Sequence, residues 1–146
     1  MSEQSTLLNI GSTGATGANP SGNTVNTTGR KNFSFQVLAQ AMATTGSDTL
    51  NGFFWESNTE SPDFSNPQDY RKINLFNADS GARVTDITAI LGNMTSGNAA
   101  LNQKFNLQDS NFAKYIGFRA TVAGTPANVK NVVVTLNYDV IRRTSL

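Results

Sequence analysis

The residues best suited to chemistry in this sequence are acidic and polar side chains gathered around a long loop. Carboxylate and amide oxygens are the ligands that Ca²⁺ prefers. Their spacing here matches no defined calcium loop, so a structural calcium site and a solvated loop remain alternatives. A glycosidase would need two carboxylates held about 5–10 Å apart across a cleft, and nothing in the sequence pairs two of them. The residues concerned are Glu56, Asn58, Glu60, Asp63 and Asp69.

Trp55 is a candidate interaction residue beside this loop. It is flanked by Phe53, Phe54 and Tyr70, and an indole in such company is suited to stack on the apolar face of a sugar. The same residues are suited to core or subunit-interface packing, to which most large aromatic side chains contribute area. Carbohydrate binding and packing are therefore both compatible with the sequence.

Two residue types that carry much of enzyme chemistry are missing. The 146 residues include no His and no Cys. This composition excludes a cysteine nucleophile, a disulfide, a thiolate metal site and a serine–histidine pair within the chain. We therefore predict a protein that is not an enzyme, with no catalytic residue, no metal ligand and no cofactor.

The charge pattern argues against nucleic-acid and membrane partners. The formal net charge is +1, and the basic residues never form more than doublets, which are Arg30-Lys31, Arg71-Lys72 and Arg142-Arg143. A phosphate backbone would require a basic stripe, which this sequence lacks. The first residues have no basic segment followed by an apolar one, so we expect no signal peptide. No apolar run approaches the roughly 20 residues that span a bilayer.

The N-terminal region is predicted to be an extended, flexible arm over residues 1–31. Between residues 11 and 29 there is no aromatic residue, and Val25 is the only large aliphatic one. Such a segment cannot offset its ordering entropy by burying apolar area alone. Leu7, Leu8 and Ile10 precede it as an apolar anchor, which predicts an arm that docks on a neighbouring subunit. A disordered tail is the alternative.

The rest of the chain, residues 32–146, shows the period-2 alternation of half-buried strands. Strands are predicted over 32–41, 49–57, 70–76, 100–107, 113–122 and 129–141, with a bulge at Gly52 and a long loop over 58–69. Residues 84–91 fit a strand better than a helix. We predict an all-β antiparallel sandwich of jelly-roll kind, in which 113–122 and 129–141 form a hairpin. The predicted core contains Val134, Leu136, Tyr138, Phe118, Ile116, Phe35 and Val37.

Three segments resemble small β-sandwich proteins of bacteriophage particles, particularly head-decoration and other surface subunits. They are Gly-Phe-Phe-Trp-Glu-Ser-Asn at 52–58, the segment 109–119 that begins with Asp109 and ends in Lys-Tyr-Ile-Gly-Phe-Arg, and the alternating Val, Thr and Leu of 132–140. The acidic loop over 58–69 is longer than the corresponding loop tends to be in those proteins. The resemblance implies a homo-oligomer such as a trimer or ring, and contact with a major capsid protein. It implies no catalytic residues.

The expected function is therefore that of a virion structural protein assembled in the host cytoplasm. A capsid decoration or cement protein, or a minor head or neck subunit, fits best. The alternative is a carbohydrate-binding or host-recognition module of a tail or fibre, for which Trp55 would be the binding residue.

Overall fold

The computed structural model describes residues 2–39, 48–87, 101–107 and 113–141. Its strands form two antiparallel sheets, which confirms the predicted all-β sandwich; the jelly-roll topology stays a prediction. The larger sheet has the order β1-β10-β3-β8-β6-β7 and the smaller one β2-β9-β4-β5. A short 3₁₀ helix, Pro126–Asn128, lies between β9 and β10. The strands are β1 (Ser2–Ile10), β2 (Val25–Asn26), β3 (Arg30–Ala39), β4 (Thr49–Ser57), β5 (Arg71–Lys72), β6 (Leu75–Asn77), β7 (Arg83–Val84), β8 (Leu101–Leu107), β9 (Tyr115–Ala123) and β10 (Val132–Val140).

One hydrophobic core lies between the sheets. Its centre is aromatic: the ring of Phe54 lies 4.4 Å from that of Phe35 and 4.8 Å from that of Phe118, measured between centroids. Alternating residues of β3, β9 and β10 point into this core, as period-2 patterning requires. The predicted core is confirmed. All seven of its residues are buried, namely Val134, Leu136, Tyr138, Phe118, Ile116, Phe35 and Val37.

The N-terminal segment differs from the predicted flexible arm. Strand β1 pairs with β10 of the same chain, from Ser2 opposite Asp139 to Ile10 opposite Val132. A shift in register between Thr6 and Leu8 marks a bulge, and both leucines of the Leu7-Leu8 pair are buried in the core. The apolar anchor thus docks on its own chain, where a tether gives a high effective concentration. A boundary after residue 31 therefore does not separate an arm from a folded domain.

The polar segment that follows β1 is fixed by backbone hydrogen bonds. The Ala15 N–H donates to the carbonyls of Pro126 and Val129, and Ala18 accepts from the N–H of Val122. Gly14 has a φ of +90°, and a Cβ there would lie 2.2 Å from the Ala127 carbonyl oxygen. Main-chain bonds thus order a stretch that has too few apolar side chains to be ordered by burial.

Within the described ranges, no helix has the length and hydropathy needed to cross a membrane.

The predicted hairpin of 113–122 with 129–141 is wrong. Strand β9 pairs with β4 along its whole length, whereas β10 lies between β1 and β3 in the other sheet. The connection between them passes from one sheet to the other and is bonded to Asp48. That carboxylate accepts from the Thr125 N–H at 2.7 Å and from the Asn128 side-chain amide at 2.8 Å. Sequence proximity favoured a hairpin, but this connection is long enough to span the roughly 10 Å between packed sheets.

Two further strand predictions change in detail. Residues 70–76 form two short strands in different sheets, because β5 pairs with β4 and β6 pairs with β8. The predicted bulge at Gly52 is wrong, because β4 pairs with β9 through this residue without a shift in register. A Cβ there would lie 2.3 Å from the Phe118 ring, so the glycine makes room for that ring. From the ambiguous 84–91 segment, Val84 ends β7 and Ile87 forms an isolated bridge with Gly52. Residues 88–91 lie outside the described ranges.

Candidate functional site

Trp55 lies on the outward side of the smaller sheet, away from the central core. In β4, Leu50 and Phe54 point inward, so Phe53 and Trp55 point outward. Trp55 stands opposite Gly117 of β9, where a Cβ would lie 2.3 Å from the indole. The missing side chain of Gly117 therefore lets the indole lie across the neighbouring strand.

The loop over 58–70 covers this indole with a second hydrophobic layer. The Phe64 ring lies 5.6 Å from that of Trp55 and 5.1 Å from that of Tyr70, and the rings of Phe53 and Tyr70 stack at 5.7 Å. We call Phe53, Trp55, Phe64 and Tyr70 the outer aromatic layer. Trp55 is only 3 % exposed, so its indole is not an open platform for sugar stacking.

Three acidic residues in or beside this loop have partners within the chain. The Asp63 carboxylate accepts from the Ser65 hydroxyl and N–H, which together lower the pKa of Asp63. The Asp69 carboxylate accepts from the Asp63 N–H. Glu56 forms an ion pair of 3.0 Å with Arg71. Among the described residues, no three carboxylates gather into a group that could hold a metal ion.

Two cations flank the outer aromatic layer. Lys72 lies over the Phe53 ring at 4.7 Å and forms an ion pair of 2.7 Å with Asp86. Arg119 lies over the Phe64 ring at 4.7 Å. The Arg119 side chain is half-buried, yet its guanidinium makes no hydrogen bond or ion pair with any residue that the structure describes. A guanidinium has five N–H donors, so Arg119 has unused binding capacity.

Two hollows adjoin Arg119. The first hollow has a volume of about 210 Å³ and lies between the segment 19–24 and the loop 60–64, with Trp55 at its base. The second hollow, of about 310 Å³, is lined by residues of β4 and β9 and by Asp86 and Ile87. Arg119 is the residue that both hollows share.

The outward side of the larger sheet has a different chemistry. Thr6, Thr135, Gln36 and Lys104 form one row across β1, β10, β3 and β8. The neighbouring rows consist mainly of amide and hydroxyl side chains. We call this surface the polar face; its members are Gln4, Thr6, Asn9, Val133, Thr135, Asn137, Ser34, Gln36, Leu38, Lys104 and Asn106.

The hydroxyl of Thr135 lies near the centre of the polar face and has no hydrogen-bond partner among the residues that the structure describes. The residue is 7 % exposed. A buried, unpaired hydroxyl costs about 1–3 kcal/mol relative to a paired one. The Thr135 hydroxyl therefore has hydrogen-bonding capacity that no described residue uses.

The structure separates the residues predicted to mediate interactions. Leu7, Leu8 and Ile10 are in the central core on β1, and Trp55 is beneath the loop on the other sheet. Arg119 was missed as a site residue, although it lies on the polar side of a correctly predicted strand. Its special position depends on Phe64 and on strand pairing, which local sequence patterns do not contain.

No protein-family model matches this sequence, and no curated protein matches it either. Among solved structures, the fold is similar to that of the SPBc2 prophage-derived protein YomS, with a TM-score of 0.52. The similarity covers 94 % of this chain and 91 % of that protein, at 8 % sequence identity. At this level of identity, the likeness establishes a shared fold.

Proposed function

We propose that this chain is a non-enzymatic structural protein of a bacteriophage particle. The observation that carries the proposal is the similarity to YomS, a prophage-derived protein, because it extends over nearly the full length of both chains. A shared fold does not by itself define a function, so the site chemistry must agree with it. The lack of His and Cys in the whole sequence agrees with a role in assembly.

The more specific role that we propose is capsid decoration or cementing, or that of a minor head or neck subunit. The partner would be a major capsid protein, and copies of this chain would form a trimer or ring on it. The polar face is the surface that suits such docking. Its amide and hydroxyl groups stay hydrated in the free subunit, and they can form directional hydrogen bonds once a partner excludes water. Gln4, Thr6 and Asn106 are exposed groups of this kind.

Mass spectrometry of purified particles tests the general role. Particles of the phage or prophage that encodes this chain are separated from lysate on a density gradient. We expect the chain to co-purify with the major capsid protein at a fixed copy number per particle. A chain present in the lysate but missing from the particles would contradict the virion role.

Variants of the polar face test the docking surface. Thr6 and Asn106 are exposed, so T6R and N106R place bulky charges on the face without disturbing the core. Both should weaken binding to particles produced without this chain. Thr121→Arg is the matched control, since Thr121 is an exposed threonine on the outward side of the smaller sheet. Loss of binding in the control alone would assign docking to the smaller sheet instead.

The assembly state is tested by light scattering after size exclusion. A trimer or larger ring in free solution, or one that forms only on particles, agrees with the proposed role. A subunit that stays monomeric in solution and binds particles as isolated single copies would contradict the homo-oligomer.

A further inference from the structure

Arg119 stands between the two hollows of the smaller sheet, and we propose that the hollows together form a binding groove for a glycan. This inference goes beyond the structural role proposed above and does not depend on it. The hollows have volumes of about 210 and 310 Å³. Each has room for a single sugar ring, and Arg119 would contact both rings.

The guanidinium of Arg119, which is unpaired within the described part of the chain, is the observation that points to a ligand. It lies against Phe64, with the guanidinium carbon 4.7 Å from the ring centroid. A half-buried donor group with no acceptor among the described residues has bonds left for a ligand to supply. A planar group with five donors is best matched by a ligand with several oxygen acceptors spaced around a ring.

The other groups of the first hollow match the hydroxyls of a sugar. Ser21, Asn23, Ser61 and Glu60 supply donors and acceptors at its rim, while Trp55 supplies apolar surface at its base. Specific polar groups around an apolar floor are the usual arrangement of a small-molecule site. Because Trp55 is almost fully buried, it would support the ring from below and not act as an exposed stacking platform.

The second hollow repeats this arrangement around Phe53. Asn51, Thr121 and Asp86 are its polar lining, and Phe53 is half-buried at its floor. The two hollows have no net positive charge, since their lining contains Arg119 together with Glu60 and Asp86, and Asp86 pairs with Lys72 beside the second hollow. A balanced charge with many hydroxyl and amide groups favours a sugar over a phosphate-rich ligand, which would need a net positive site.

Binding of the full chain to an array of neutral and acidic oligosaccharides, followed by calorimetry on the glycans retained, tests the proposal. We expect wild type to bind at least one disaccharide or longer glycan. Arg119→Gln removes the charged donors and should reduce affinity at least tenfold, as expected for about 1.5 kcal/mol from hydrogen bonds to a charged group. Lys104→Gln, which removes an exposed cation from the polar face, is the matched control and should leave affinity unchanged.

A second variant keeps the test decisive if Arg119→Gln does not fold. Thr121 is exposed, so Thr121→Tyr can fill the second hollow without entering the core; it should also weaken binding at least tenfold. Three results would overturn the proposal: no glycan bound by wild type, full affinity in the folded Arg119→Gln and Thr121→Tyr variants, or complete displacement of the glycan by inorganic phosphate. The last would identify an anion site. Since the isolated chain is used, these outcomes are independent of particle binding.

Discussion

The two outward faces of the sandwich show how the same strand pattern leads to two kinds of surface. In β4, the outward positions hold Phe53 and Trp55, and the chain covers them with the loop that contains Phe64. In β10, the outward positions hold Thr135 and Asn137, whose side chains need no apolar cover. Apolar area is stabilised by burial at roughly 25 cal/mol per Å², which accounts for the loop over the aromatic face; polar side chains have no such need of burial.

This difference separates the partners that each face can take. The polar face is built on four paired strands and is suited to a broad protein partner. Within the described part of the chain, the covered face has recesses where loops meet strands, on either side of Arg119. Such recesses suit a small ligand. The comparison therefore predicts that substitutions on the two faces will have effects of different size, and often of different kind.

Deleting residues 2–10 should have the largest effect, because β1 belongs to the larger sheet. The deletion removes Leu7, Leu8 and Ile10 from the core, and burial of each such side chain contributes about 1.5–3 kcal/mol. A combined loss of about 5–9 kcal/mol is comparable to the whole stability of a typical domain. Circular dichroism during urea titration should show a largely unfolded chain.

The control for this deletion keeps β1 and changes only its outward side. Gln4→Ala with Thr6→Ala should shift the free energy of unfolding by about 0.5 kcal/mol or less, as for other surface substitutions. If the shortened chain instead unfolds cooperatively at the wild-type urea midpoint, then β1 is a detachable arm and the polar face is one strand narrower than the structure indicates.

Trp55→Ala should destabilise the chain by about 3–5 kcal/mol, the range for truncation of a buried aromatic side chain. The residue is outside the central core, so a loss of this size would show that the outer aromatic layer is a second core. Trp55→Phe should cost less, since it retains a ring against Phe64. Thermal and urea unfolding measure both variants. A loss below about 1 kcal/mol for the alanine variant would mean that the loop does not bury Trp55 in solution.

The sequence was most informative where structure is local. Alternation assigned the inward sides of β3, β9 and β10 correctly, because a side-chain period of two depends only on neighbouring residues. It could not tell which strands pair. Thus β9 and β10, adjacent in sequence, lie in different sheets, and the 70–76 segment is divided between both sheets. Pairing depends on contacts between distant residues, which no local pattern records.

The site was harder to predict for a related reason. The sequence drew attention to Trp55 and to Leu7, Leu8 and Ile10 as apolar groups in polar surroundings. It could not show that the chain buries them itself, because their covers, Phe64 and β10, are distant in sequence. Arg119 gave the opposite problem. In the sequence it is an ordinary cation on the outward side of a strand. Its special position is visible only in the structure, where Phe64 and the two hollows adjoin it.

Asp48 bonds the connection that passes between the two sheets, and Asp48→Asn should reduce the stability of the chain by an amount that depends on pH. The Thr125 N–H, and then the Asn128 amide, lower the pKa of this carboxyl from its ordinary 3.8. A lowered pKa means that the charged form stabilises the fold above about pH 3.8, and that this contribution disappears as pH falls through the folded-state value. The difference in melting temperature between wild type and variant should be largest near neutral pH and vanish in acid. Asp63→Asn, in an exposed loop, is the comparison and should change the melting temperature less. If the difference between wild type and Asp48→Asn grew in acid, the stabilising role assigned to the charged Asp48 would be contradicted.

Thr135→Val should have the smallest effect on stability, and whether this effect is a gain or a loss is informative about the role of the hydroxyl. The hydroxyl of Thr135 is buried with no partner among the described side chains and backbone groups, and valine has nearly the same shape and suits a strand. Removing an unpaired buried hydroxyl should leave the free energy of unfolding unchanged or raise it by up to about 1 kcal/mol. Urea unfolding measures this, with the exposed Thr121→Val as the matched substitution on the other sheet. If the polar face docks on a capsid protein through this hydroxyl, the same variant should bind particles about fivefold more weakly, as expected for the loss of one hydrogen bond. Higher stability with weaker binding would show that the hydroxyl serves binding to a partner and not the stability of the fold. A loss of stability above about 1 kcal/mol would instead show that the hydroxyl already has a partner within the folded chain.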